Sequence, residues 1–257
     1  MNLQVDLDAP MTRAHALQRL SSQGFCTLNA ASLAALVGVN LRELDALRPS
    51  WDDLPPDAYL KDGGRYRYRR HGCYVQAPGS AALEATPHRA HWQPTTYNAL
   101  HGGMQRWFEP LDPALAGASA FTRLIASLGL LFAQAESNQG EAPRWFIEAH
   151  PFRIDTTDGV GRPTPEGAHR DGVDFVAVIL INRHAVRGGE TRVFDARGPQ
   201  GVRFTLCEPF SALLLDDARV IHESTPIQPE ADRGWRDTLV LTYRRGGFQE
   251  PASPPAP

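Results

Sequence analysis

Cysteine is scarce and scattered: the 257 residues hold three, Cys26, Cys73 and Cys207. An odd, widely spaced set argues against a disulfide framework and against a cysteine metal site. Each is expected as a small buried hydrophobe in a reducing compartment. Long apolar runs are lacking too. The longest, such as FVAVILI, are far too short to cross a bilayer, so no membrane span is expected. Neither charge sign is in large excess. The net charge of −3 gives no reason to expect nucleic acid or an anionic membrane as a partner. The opening MNLQVDLDAP has neither the basic start nor the apolar segment of a secretory leader, which makes the cytoplasm the expected location. No internal repeat is visible.

The residues that are present suffice for a globular protein with a sizeable core. Apolar spacing predicts a first helix from Thr12 to Ser22, stopped by Gly24, then a short strand GFCTL. Residues 31–48 read as one or two helices ended by Pro49. The alternating YRYRRHGCYVQ, 66–76, reads as a hairpin around His71-Gly72. Residues 77–118, rich in Pro, Gly, His and Ala, read mostly as loop. SAFTRLIASLGLLFAQAE, 119–136, is the clearest helix, with Phe121, Leu124, Ile125, Leu128, Leu131 and Phe132 on one face. Short strands follow at 144–154, 172–182, 190–195, 201–207, 211–216, 219–223 and 237–244. Seven strands at this spacing suggest a sandwich or barrel. Helices first and strands later make an α+β fold, expected as one domain over 1–250, helical over 1–140 and β over about 144–246. The Pro-rich end, 251–257, is expected to be disordered.

The stretch EGAHRDGVDFVAVILINRHAVRGGET, 166–191, raises a chemical question. It sets His169 and Asp171 at the mouth of a strand that reads as core. On a strand, residues two apart share a face, so the imidazole and the carboxylate converge. Alone, the pair is a surface feature more often than a site. His222 adds a third ligand. Two histidines and one carboxylate suit an Fe(II) that activates oxygen, with zinc as the competitor. Fourteen residues on, Arg236 and Thr238 open a strand on one face. A guanidinium is a rigid two-pronged donor for a carboxylate. Gly188-Gly189 permits a sharp reversal over the site, or a plain hairpin; Glu190 is not needed as a ligand.

In order and spacing, His-x-Asp, Gly-Gly-Glu-Thr, a distal His and then Arg-x-Thr resemble the Fe(II)- and 2-oxoglutarate-dependent dioxygenases, over roughly residues 144–246. HRDGVDFVAVILINRH with GGET is similar to their free-amino-acid hydroxylases, the branch that includes L-isoleucine 4-hydroxylase. The resemblance implies a double-stranded β-helix, a jelly roll buttressed by the N-terminal helices. It implies that His169, Asp171 and His222 ligate Fe(II) and form the catalytic centre, and that Arg236 and Thr238 bind 2-oxoglutarate. O2 is the other co-substrate. The expected reaction hydroxylates an unactivated C–H bond of a free aliphatic L-amino acid, releasing succinate and CO2. Two alternatives stay open: a peptide or protein side-chain hydroxylase, and a non-catalytic metal-binding jelly roll. The substrate candidates are His150 and Arg153. Arg67 and Arg69 are also considered, but YRYRR is expected as a solvated basic face with tyrosines in the core. Phe175, Val176 and Val178 read as core or as a dry wall of the site. Asp174 is on the wrong face to be a ligand.

Overall fold

The computed structural model describes residues 5–136 and 141–251, so the expected disordered tail lies, apart from Pro251, outside the described residues. The first helix, α1 (Arg13–Gln23), begins where Thr12 accepts the His15 N–H and ends at Gly24, which is left-handed. Next come α2 (Ala30–Val37) and α3 (Leu41–Asp45), capped by Asn29 and Asn40. Pro49 does not end a helix. It sits at the start of a 3-10 turn, Arg48–Trp51, where its missing N–H costs nothing. A short α4 (Pro113–Gly117) leads into α5 (Ser119–Glu136), whose predicted apolar face is at most 2% exposed.

Among the described residues there are thirteen strands: β1 (Phe25–Leu28), β2 (Arg67–Arg69), β3 (Gly72–Gln76), β4 (Glu84–Ala85), β5 (Trp145–Asp155), β6 (Phe175–His184), β7 (Val186–Gly188), β8 (Thr191–Asp195), β9 (Gly201–Phe204), β10 (Ala212–Asp216), β11 (Val220–Ser224), β12 (Ile227–Pro229) and β13 (Trp235–Arg244). An eight-stranded sheet runs β1-β10-β6-β13-β5-β3-β4, with β2 also paired to β5. Smaller sheets, β11-β8-β9 and β12-β7, complete the jelly roll. The fold is thus the expected α+β double-stranded β-helix, although β1 to β4 extend its large sheet beyond residues 144–246.

Two local expectations fail for a topological reason. Residues 66–76 are not a hairpin, because β2 and β3 both pair with β5, at Ile154 and Ala149 respectively, instead of with each other. Gly188-Gly189 is not a hairpin turn either. β7-β8 runs alongside β11-β12 as one interrupted ribbon, and the two glycines form its kink. Both have positive φ, and a Cβ on Gly188 would lie 2.3 Å from the Pro226 carbonyl oxygen.

The large sheet has two different faces. On one, Phe175, Ala177, Ile179, Leu239 and Tyr243 pack against the helices, and Phe132 stacks on Phe175 with centroids 4.6 Å apart. Polar tips are satisfied there: Tyr243 Oη donates to the Ile125 carbonyl at 2.8 Å and Trp145 Nε1 to that of Gly129 at 2.9 Å. On the other face Val176, Leu180, Leu213 and Leu215 meet Val193, Val202 and Val220 inside the jelly roll. Cys26 and Cys73 are buried and free as expected, but Cys207 is exposed, since it lies in the loop after β9. No helix among the described residues is long and apolar enough to cross a membrane.

Candidate active site

His169, Asp171 and His222 offer ligand atoms that all lie within 4.8 Å of one another. The histidines meet across a ladder. His222 stands on β11, and His169 forms an isolated antiparallel bridge to it, each N–H donating to the other's carbonyl at 3.0 Å. His169 and Asp171 therefore do not share a regular strand, as the sequence suggested; they precede β6. The fully buried Asp217 fixes this segment. Its Oδ1 accepts the Asp171 N–H at 3.0 Å, and its Oδ2 accepts those of Gly172 and Val173 at 2.8 and 3.2 Å. Burial and the charge of Asp171 push Asp217 up to about 7, against the pull of these three donors.

The lone pairs are arranged for ligation. Asp171 Oδ1 lies 3.7 Å from His169 Nε2, and Oδ2 lies 3.7 Å from His222 Nε2. His169 Nδ1 sits 2.9 Å from the Gly167 carbonyl oxygen. That oxygen only accepts, so Nδ1 carries a proton, and in the neutral ring Nε2 keeps its lone pair. Burial, helped by His169, holds His222 well below the usual histidine range, so it is neutral. Burial also opposes a charge on His169, but Asp171 and Glu166 outweigh it and raise that group.

Arg236 and Thr238, on β13, line the same cavity of about 130 Å³ as the triad. Arg236 is 2% exposed, and its Nε and Nη2 have no partner among the described residues. Burial, with Arg183 adding, lowers it to about 10. A buried cation with two idle donors is costly unless an anion arrives. The Gly-Gly kink lies against it, since a Cβ on Gly189 would lie 3.5 Å from Arg236 Cδ.

The other end of the cavity corrects the reading of YRYRR. Arg67 and Arg69 are buried and line the cavity, and it is Tyr68 that packs toward the helices. The alternation was legible, but the inward face here is a polar cavity. Asp57 pairs with Arg67 at 2.7 Å and lies 3.9 Å from Arg69. On β5, His150, Phe152 and Ile154 face the cavity, while Arg153 does not. Arg153 lies on the opposite face, held by Asp237 at 2.7 Å and Asp52 at 3.2 Å, and does not reach the cavity. Of the apolar candidates only Val178 lines the cavity. Asp174 is occupied by Arg245 at 2.6 Å and Glu190 by Arg192 at 2.9 Å. Sequence reasoning missed Gln93, Asn98 and Arg106, which reach the cavity from the irregular 77–118 stretch, where no periodicity marks a face. It also missed Glu166, three residues before His169.

A second imidazole–carboxylate group, His71, His91, Glu148 and His150, is wholly buried. Arg69 Nη2 lies 2.6 Å from His150 Nδ1. A guanidinium only donates, so His150 Nδ1 accepts and its proton sits on Nε2, 3.7 Å from Glu148. His91 Nδ1 and His71 Nε2 lie 2.9 and 3.4 Å from Glu148. This group is a hydrogen-bonded network around one carboxylate. Burial works against the Glu148 charge, but the surrounding imidazoles hold it well below the usual carboxylate range.

The model of the 2OG-Fe dioxygenase family matches residues 48–242, and the chain belongs to that family. It is a 2-oxoglutarate-dependent dioxygenase, of a family that uses Fe(II), 2-oxoglutarate and O2. The chain is 61% identical to a bsmA homolog from Methylobium petroleophilum PM1 whose crystal structure superposes with a TM-score of 0.90, covering 97% of this chain and 99% of that one. IDO from Bacillus thuringiensis shares the fold at 16% identity, with a TM-score of 0.74 and coverage of 95% and 100%. The Fe(II)/α-ketoglutarate-dependent dioxygenase TqaL does so at 18% identity, 0.68, and 91% and 86%. A comparison with curated proteins found no match. The residues present fit the family's cofactors: two imidazole Nε2 atoms face a carboxylate, and a buried arginine lacks an anion.

Proposed function

We propose that His169, Asp171 and His222 hold Fe(II), that Arg236 with Thr238 takes the distal carboxylate of 2-oxoglutarate, and that the substrate is a free aliphatic L-amino acid. The bound iron, with 2-oxoglutarate and O2, supplies the oxidant that turns a C–H bond into C–OH, with succinate and CO2 as co-products. The protein orients the substrate and excludes water.

One observation carries the substrate assignment. The cavity beside the triad offers unpartnered buried donors, Arg67 Nη2 and Arg106 Nε, and an unpartnered buried acceptor, Glu166 Oε2. The other nearby carboxylates are occupied, Asp57 by arginines and Glu148 by imidazoles. A zwitterion satisfies this remainder, its carboxylate toward the arginines and its ammonium toward Glu166. Phe152 and Ile154 line the cavity and suit an apolar side chain. This replaces Arg153 with Arg67 and Arg106 and leaves His150 in the wall.

The test is succinate formation by the iron-loaded protein with 2-oxoglutarate and O2, with and without a pool of the twenty free amino acids. Stimulation by Ile, Leu, Val or Met is expected. Slow succinate release that no amino acid stimulates would retire the amino-acid substrate while leaving the dioxygenase intact.

A further inference from the structure

Gln93 is 8% exposed in the loop between β4 and α4, and its side-chain amide is used at both ends. Nε2 donates to Asp171 Oδ1 at 3.2 Å. Oε1 accepts from Arg106 Nη2 at 2.9 Å and from Asn98 Nδ2 at 3.2 Å. The orientation of the amide follows from its neighbours: an ionised carboxylate only accepts and a guanidinium only donates. The loop is pinned by the bridge between His91 and Arg106, each N–H donating to the other's carbonyl at 2.9 Å. A continuous chain therefore runs from Arg106, whose Nε is buried and idle, through Gln93 to Asp171.

We propose that Gln93 is a positioning residue for Asp171, and that it ties this carboxylate to Arg106 at the amino-acid end of the cavity. The proposal rests on Asp171 being a metal ligand. Each Asp171 oxygen lies 3.7 Å from one imidazole Nε2, so an unrestrained carboxylate could chelate a metal through both. An N–H donor on Oδ1 leaves Oδ2 as the ligand and keeps coordination positions open for co-substrate and O2. Arg106 holds the other end of the amide. Burial, with Arg67 adding, lowers this guanidinium to about 10, so an incoming carboxylate binds it strongly and redirects its donors. The occupancy of the substrate end is thereby felt at a metal ligand.

Co(II) reports this without turnover. Its binding and its visible d–d spectrum are measured on the whole protein for wild type, Gln93→Met, Gln93→Glu, Arg106→Met and the Gln93→Met/Arg106→Met double variant. Gln93→Met is expected to weaken Co(II) about 10-fold, the order found when a partner holding a metal ligand is removed, and to change the d–d band. Gln93→Glu keeps the acceptor for Arg106 but loses the donor to Asp171, so it weakens binding too. Arg106→Met produces a smaller loss, and the double variant is no weaker than Gln93→Met alone, because Arg106 acts through Gln93. Wild-type affinity and an unchanged band in folded Gln93→Met, checked by circular dichroism, overturn the proposal. Additive losses in the double variant overturn the link to Arg106. If His169→Ala binds Co(II) like wild type, the metal assignment itself fails, and this proposal with it.

Discussion

Two groups of side chains of the same kinds lie in one protein and do opposite things. In the group of His169, Asp171 and His222, two imidazole Nε2 atoms lie 3.7 Å from a carboxylate, and the His169 proton is drawn to the far side of its ring. His71, His91, Glu148 and His150 sit as close together, with contacts to Glu148 of 2.9 to 3.7 Å, but spend their protons on it. The difference is the third neighbour. Behind His169 Nδ1 stands a carbonyl, which draws the proton away from Nε2. Behind His150 Nδ1 stands the Arg69 guanidinium, which forces the proton onto Nε2 and adds a positive charge against any dication. Residue type and proximity alone do not make a metal site; the tautomer and the charge beside it count as well.

The largest effect that tests this comparison comes from His169→Ala, which should abolish iron binding and turnover. His71→Ala should leave metal binding near wild type in the same titration and cost about 1–3 kcal/mol of stability by unpairing a buried carboxylate. A comparison of two arginines across the sheet comes next. Arg236→Ala should raise the 2-oxoglutarate requirement about 100-fold with iron affinity unchanged, since an anchoring charge pair is lost. Arg153→Ala, one register step away on the opposite face, should leave that requirement unchanged. It strands Asp237, already pushed up to about 6 by burial, and should lower stability by about 3 kcal/mol in denaturant unfolding.

How much of this was legible varies with the physics of each element. The helix at Ser119–Glu136 was legible to the residue, because a helix buried on one face writes its period into the sequence. The three residues that converge were legible from types and spacing, although the ladder between His169 and His222 was not: a bridge joining residues fifty-three apart leaves no local pattern. Arg67 and Arg69 were misread because alternation tells which residues share a face, not which face meets solvent. Gln93, Arg106 and Glu166 were invisible for another reason. Irregular loops carry no period, and their side chains acquire a role only when the fold folds them over the cavity.

Glu148→Gln should break the second group alone. An amide in place of the carboxylate turns one N–H toward imidazole donors, at a cost of about 3 kcal/mol, and iron affinity should not follow. Acid sharpens the same point. Burial holds His91 down at about 4, against the pull of Glu148, while the unfolded chain takes its proton near 6.5. The stability that depends on a neutral His91 is complete above 6.5 and is lost as the pH falls toward 4, by at most about 1.4 kcal/mol per pH unit. Glu148 remains ionised through this window, so His91→Gln should remove only the His91 share of the slope in thermal melts between pH 4 and 7, while His150 and His222, also held low by burial, keep theirs.

The smallest and most pointed effect is a gain. Arg69→Met removes the donor from His150 Nδ1 and the positive charge beside it, so that the proton can leave Nε2 for Nδ1. His150 would then have a lone pair to offer beside the Glu148 carboxylate, with His71 and His91 close by, and a second equivalent of Zn(II) should bind weakly. His150→Phe in the same background should abolish that binding without touching the first equivalent. If Arg69→Met takes up no second metal although it folds, the arginine is not what separates the two groups, and the burial of Glu148 must be withholding it instead.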